Sequence, residues 1–121
     1  MVIKKILEFE TPSWVQNTLM ARLEQMVNYD NTYLKKVTAY YALGAIAQHY
    51  GGALLSRAVS IVAGGVDSKV ANVRLVTVKI LASLAARAEK DDLTNIRKAI
   101  GTLSNDPDKD VKDLANAALK N

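Results

Sequence analysis

The chain has 121 residues, 50% of them hydrophobic, with 16 lysines and arginines against 12 aspartates and glutamates, one histidine, no cysteine and a formal net charge of +4. That length holds a single domain with a core of its own, and the composition excludes disordered and collagen-like chains. Disulfide frameworks, thiolate metal sites, cysteine nucleophiles and multi-histidine metal centres are excluded as well.

Taken in chain order, the apolar spacing predicts helices throughout. Val2, Ile3, Ile6 and Leu7 resemble the remnant of a helix over residues 2–9, without the continuous apolar core of a secretion signal. Thr11 and Pro12 supply a cap and a first-turn proline. Val15, Leu19, Leu23, Met26 and Val27 then recur at three- and four-residue intervals. Asn28 to Thr32 is predicted as a turn. From Tyr33 to Tyr50 apolar and small residues surround the helix, with Val37, Tyr40, Leu43, Ile46 and Ala47 placing it between neighbours. One of Tyr40 and Tyr41 is expected to pack while the other lends its hydroxyl. Trp14 is expected to pack in the core or, alternatively, to stand as an exposed anchor.

Gly51-Gly52 ends that helix, because glycine enters left-handed backbone without steric cost. A helix follows over Ala53 to Ala63, then a loop over Gly64 to Ala71. The next helix, Asn72 to Ala88, buries Val73, Val76, Ile80, Leu81 and Leu84 and leaves Lys79, Ser83 and Arg87 wet. Asp91 or Asp92 is predicted to cap a helix whose inward residues are Leu93, Ile96, Ile100 and Leu103. Asp106-Pro107 is predicted to start the last, in which Val111, Leu114, Ala115, Ala118 and Leu119 form the apolar face.

A shift of 38 residues superposes Lys36 on Arg74 and on Lys112, and Leu43 on Leu81 and Leu119. Gly44 meets Ala82, Ile46 meets Leu84 and Ala47 meets Ala85, so large and small core positions recur in one order. This predicts an all-α fold: one domain over residues 1–121, with a partial helix over 1–10 and two-helix units over 11–50, 53–88 and 91–121. A globular bundle of four or six helices is the alternative.

Helix pairs of this period, with a short turn before Val-Arg or Val-Lys, resemble the HEAT repeat. The turns that carry the resemblance are Val70-Ala71-Asn72-Val73-Arg74 and Asn105 through Lys112. The resemblance implies an α-solenoid of about three HEAT-like hairpins, an α-α superhelix of armadillo/HEAT type, in which stacked pairs share one core. Trp14 through Met26, Tyr33-Leu34-Lys35-Lys36 and the two later turns are together similar, in order and spacing, to the last three repeats of the scaffold subunit of protein phosphatase 2A. That family implies a non-catalytic scaffold gripping a serine/threonine phosphatase catalytic subunit with its intra-repeat turns. Carried onto this chain, the gripping residues are Tyr33, Lys36, Val70, Asn72, Arg74, Val111 and Lys112. The chain departs from the family in lacking the repeats that bind regulatory subunits, in a longer loop over Gly64 to Ala71, and in being basic where the family is acidic.

Residues 31–88 hold seven cations against Asp67 alone, a net +6. A row of Lys36, Arg74 and Lys112 along one edge favours an acidic partner and speeds encounter at low salt. Alternatively these cations form a structural ladder with aspartates of neighbouring turns, for which Asp30, Asp67, Asp106 and Asp110 are available. No catalytic constellation emerges. Gly51-Gly52 and Gly64-Gly65 lack the flanks of phosphate-binding loops, His49 is expected to face terminal carbonyls, and the paired carboxylates occupy helix starts. No enzyme, metal or cofactor is expected.

Two further classes stay open. The basic middle could bind nucleic acid, although its cations are sparse and not interleaved with aromatics. An uncapped solenoid end at Val2 to Leu7 could pair two copies of the chain. No stretch is long and apolar enough for a membrane span, and the expected location is the cytoplasm, extending to the nucleus.

Overall fold

The computed structural model describes residues 18–29 and 33–120. The expected helix over 2–9, the Thr11-Pro12 cap, Trp14, Val15 and Asp30 lie outside the described residues. Six helices follow in order: α1 Met20–Tyr29, α2 Tyr33–Tyr50, α3 Gly52–Ala63, α4 Ala71–Leu84, α5 Lys90–Gly101 and α6 Lys109–Lys120. Single 3₁₀ turns follow α3 at Gly64–Asp67 and α4 at Ala85–Arg87. Among the described residues there is no strand.

Each helix packs on its neighbour in sequence, and contacts also skip one helix: α2 lies on α4, α4 on α6, and α3 on α5. This explains why α2 is apolar on nearly all sides, since α1, α3 and α4 all lean against it. Tyr40, Leu43 and Ile46 of α2, Leu55 of α3, Leu81 and Leu84 of α4 and Ile96 of α5 are fully enclosed in one continuous core. Each such side chain contributes roughly 1.5–3 kcal/mol on leaving water. The helix α6 has two neighbours and is correspondingly two-sided: Val111 and Ala115 are buried while Lys112, Asp113 and Lys120 face water.

Contacts between α2 and α4 advance in step. Tyr40 and Thr77 both flank Gly65, Gly44 lies against Ile80, the Gln48 amide donates to the Ser83 carbonyl at 2.6 Å, and Gly51 lies beneath the Arg87 guanidinium. Moving up α2 therefore means moving up α4 by the same amount, and the two helices run parallel. Gly44 permits the approach, for a Cβ there would stand 3.1 Å from the Ile80 Cγ2.

The helix ends follow local chemistry, with corrections. Gly51 and Gly52 have φ of 63° and 52°, and the Gly51 N–H bonds the Ala47 carbonyl at 2.8 Å, closing α2 as the glycine pair predicts. At α5 the expected aspartate cap does not form. The helix starts at Lys90 behind Glu89, which makes no side-chain cap, and Asp91 and Asp92 fall inside the first turn, where the helix dipole favours them. At α6 the start is two residues later than Asp106-Pro107 suggests. Asp108 does the capping, its Oδ1 accepting from the N–H groups of Asp110 at 3.0 Å and Val111 at 3.2 Å. Asp106 is turned inward instead, for a reason that involves α4. The helix predicted over 72–88 is α helix only to Leu84, then tightens into a 3₁₀ turn.

Candidate partner-binding face

Lys36, Arg74 and Lys112 are each the fourth residue of their helix, in α2, α4 and α6. Because α2 runs parallel to α4, and the turn that leads into α6 is tied to the first turn of α4, the three positions share one end of the molecule. Their surroundings differ.

Arg74 is held on all sides. Its Nε donates to Asp106 Oδ2 at 2.8 Å, its Nη2 to Asp106 Oδ1 at 3.1 Å, and its Nη1 to the Ser68 carbonyl at 2.8 Å. Asp106 also accepts the Asp108 N–H at 2.9 Å, and it is one of two buried polar residues among those described. The Arg74 hydrogen bond, helped by the Asp108 N–H and by the positive charge, holds the Asp106 carboxyl below its ordinary range against the opposing effect of burial. A planar guanidinium gripping a carboxylate with two parallel bonds is the strong form of ion pair. Arg74 thus ties the loop before α4 to the turn before α6, and its donors are already engaged. The structural ladder that the sequence offers is realised at Arg74.

Lys36 is half-buried and Lys112 exposed, and neither makes an ion pair among the described residues, where the ion pairs are Arg57–Glu24, Arg74–Asp106 and Lys109–Asp113. Asn72 is exposed and Val70, which precedes α4, keeps 39% of its surface in water. The side chain of Tyr33 lies outside the described residues. Val111 must be removed from the expected set. It is fully buried, because the α6 cap at Asp108 rotates it onto α4 and α5 rather than outward.

Two exposed side chains were not singled out as contacts by sequence reasoning: Leu34, at 62% exposure, and Tyr41, at 45%, both on α2. The surround of apolar residues masked them, since a helix apolar on all sides does not reveal which strip its neighbours leave open. Tyr40 is the tyrosine that packs, and burial raises its pKa. His49 is exposed and meets the Tyr50 ring edge-on, with centroids 4.6 Å apart, in place of the expected carbonyl contact. Among the described residues no group of three or more acidic, histidine or cysteine side chains is placed to hold a metal ion, and no helix is long and apolar enough to cross a membrane. Compared with models of known protein families and with curated proteins, the chain matches none.

Proposed function

We propose that the chain is a non-catalytic protein–protein interaction scaffold, an α-solenoid of three HEAT-like hairpins, α1–α2, α3–α4 and α5–α6, that holds a protein partner along the leading ends of α2, α4 and α6. The observation that supports this reading is the recurrence of a cation at the fourth position of three helices, of which α2 packs on α4 and α4 on α6. Arg74 joins one hairpin to the next, while Lys36, Val70, Asn72 and Lys112 remain open to a partner, with Tyr33 beside them in sequence. The resemblance to the phosphatase scaffold makes a serine/threonine phosphatase catalytic subunit the first partner to test. Lysines presented this way act mainly on encounter and specificity, and their effect fades with salt.

The test is direct titration of a purified phosphatase catalytic subunit with the parent chain and with the Lys36→Glu, Lys112→Glu double variant. Binding that weakens about tenfold in the variant, at unchanged melting temperature, supports the role. Absence of binding to the parent removes this partner, and equal binding by parent and variant removes the row of lysines as its seat.

A further inference from the structure

Where α4 and α6 end, they leave a cleft of about 330 Å³ against α5. Its floor is Ile96 and Ile100 of α5, both enclosed. Its walls are Ala82 of α4, Ala85 of the turn that follows, Leu93 of α5 and Leu119 of α6, which all keep part of their surface in water. The sequence accounts for the gap. One repeat earlier, Ile80 lies against Gly44 and the Gln48 amide reaches the Ser83 carbonyl. The 38-residue shift puts Ala118 in the place of Ile80 and Ala86 in that of Gln48, so a methyl stands where a longer side chain bridged the helices. Lining atoms with nothing opposite them forfeit dispersion contacts that an apolar occupant restores.

The one charged side chain lining this cleft among the described residues is Arg97. Its Nη2 donates to the Leu119 carbonyl at 3.0 Å, one of those that the end of α6 leaves without a helical partner. A guanidinium carries five N–H donors in a rigid fork, and the others here meet no acceptor among the described residues. The α5 residues one turn away, Leu93, Thr94, Ile100 and Gly101, offer no carboxylate, and the ion pairs among the described residues lie elsewhere. A sugar would find too few polar partners in this cleft, and an amine would meet the wrong charge. The complement is a carboxylate on a short hydrocarbon chain. At about 30 Å³ per non-hydrogen atom, the share of one molecule in liquid water, the cleft holds about eleven such atoms, the size of octanoate.

We infer that this cleft binds a medium-chain carboxylic acid, its hydrocarbon chain on Ile96, Ile100 and Leu119 and its carboxylate on Arg97. Burial of the chain supplies affinity, and the guanidinium sets orientation. Lys36, Arg74 and Lys112 lie at the opposite ends of their helices, so the site stands independently of the partner-binding role proposed above.

The test is titration of octanoate into the full chain carrying ¹³C-labelled methyl groups, followed by nuclear magnetic resonance. Saturable shifts of the Leu93, Ile96, Ile100 and Leu119 methyls are expected. Ala118→Ile, which restores the side chain of the earlier repeat, should fill the cleft and abolish binding at an equal or higher melting temperature. Octanol, the uncharged alcohol, should bind about tenfold more weakly than octanoate, and Arg97→Gln should weaken octanoate about tenfold while leaving octanol unchanged. No saturable shift, or saturation confined to methyls elsewhere in the chain, overturns the site. Undiminished binding by a folded Ala118→Ile chain overturns the cleft as its seat, and if that variant does not fold, the methyl map of the parent decides the same point. Equal affinity for octanoate and octanol overturns the role of Arg97.

Discussion

Arg74 shows how one side chain can be diverted from recognition to architecture. In the repeat it is equivalent to Lys36 and Lys112, yet it is the arginine of the three, and its planar fork matches a carboxylate where an ammonium cannot. Replacing it by alanine leaves Asp106 buried with one N–H in place of its guanidinium, and orphans the Ser68 carbonyl. We expect Arg74→Ala to lose about 2–4 kcal/mol of stability in denaturant titration, the size associated with breaking a buried ion pair from one side. The pH dependence follows from the depressed pKa of Asp106. A carboxyl whose folded pKa lies below its unfolded value of about 4 stabilises fully above that value and loses its contribution as pH falls through the folded pKa. The stability gap between the parent chain and Asp106→Asn should therefore be constant from neutral pH down to about 5 and shrink below about 4. A gap that is flat to pH 2 would refute the pairing.

At the scale of elements, two glycines stand where an added side chain would press on a neighbouring helix. Gly65, in the 3₁₀ turn after α3, lies where an added Cβ would strike the Thr77 hydroxyl and come within 2.9 Å of the Tyr40 ring. Both neighbours are enclosed, and the Thr77 hydroxyl is already bonded to the Val73 carbonyl at 2.9 Å, so neither can yield. Gly65→Ala should cost about 1–3 kcal/mol, the usual penalty of overpacking, read as a lower melting temperature. Gly64, with open space around its Cβ direction, is the control, and Gly64→Ala should change little. Gly44 governs the spacing of α2 and α4. Gly44→Leu should wedge the helices apart and lower stability by about 2 kcal/mol or more, read as a lower melting temperature even where circular dichroism reports retained helix.

For the whole molecule, helices pack on their sequence neighbours and on the helix beyond, so that stability is shared between elements. Leu81, Leu84 and Val76 of α4 are enclosed with α5 and α6 on one side and α2 and α3 on the other. A chain shortened to residues 1–88 strips the cover of α5 and α6 and removes Asp106. With that apolar surface opened to water, the shortened chain should lose cooperative unfolding and bind a hydrophobic dye, whereas the full chain melts in one transition. A cooperative melt in the shortened chain would show that α5 and α6 are dispensable.

Much of this architecture was legible in the residues themselves. Helix periodicity, the Gly51-Gly52 stop and most of the core faces of α4 to α6 are local properties, written in spacing and in glycine's access to positive φ, so the chain carries them unaided. Recurrence of Lys36, Arg74 and Lys112 was equally legible, and the helices place all three at the same register position. Local sequence did not contain the partner of Arg74, the cap that passes from Asp106 to Asp108, the burial of Val111 or the open strip at Leu34 and Tyr41. Each depends on what another helix, tens of residues away, brings alongside. A side chain's periodicity says that it has an inside and an outside, but whether a charge is neutralised or an apolar surface is covered is settled only when two segments meet, and that meeting is a property of the tertiary structure.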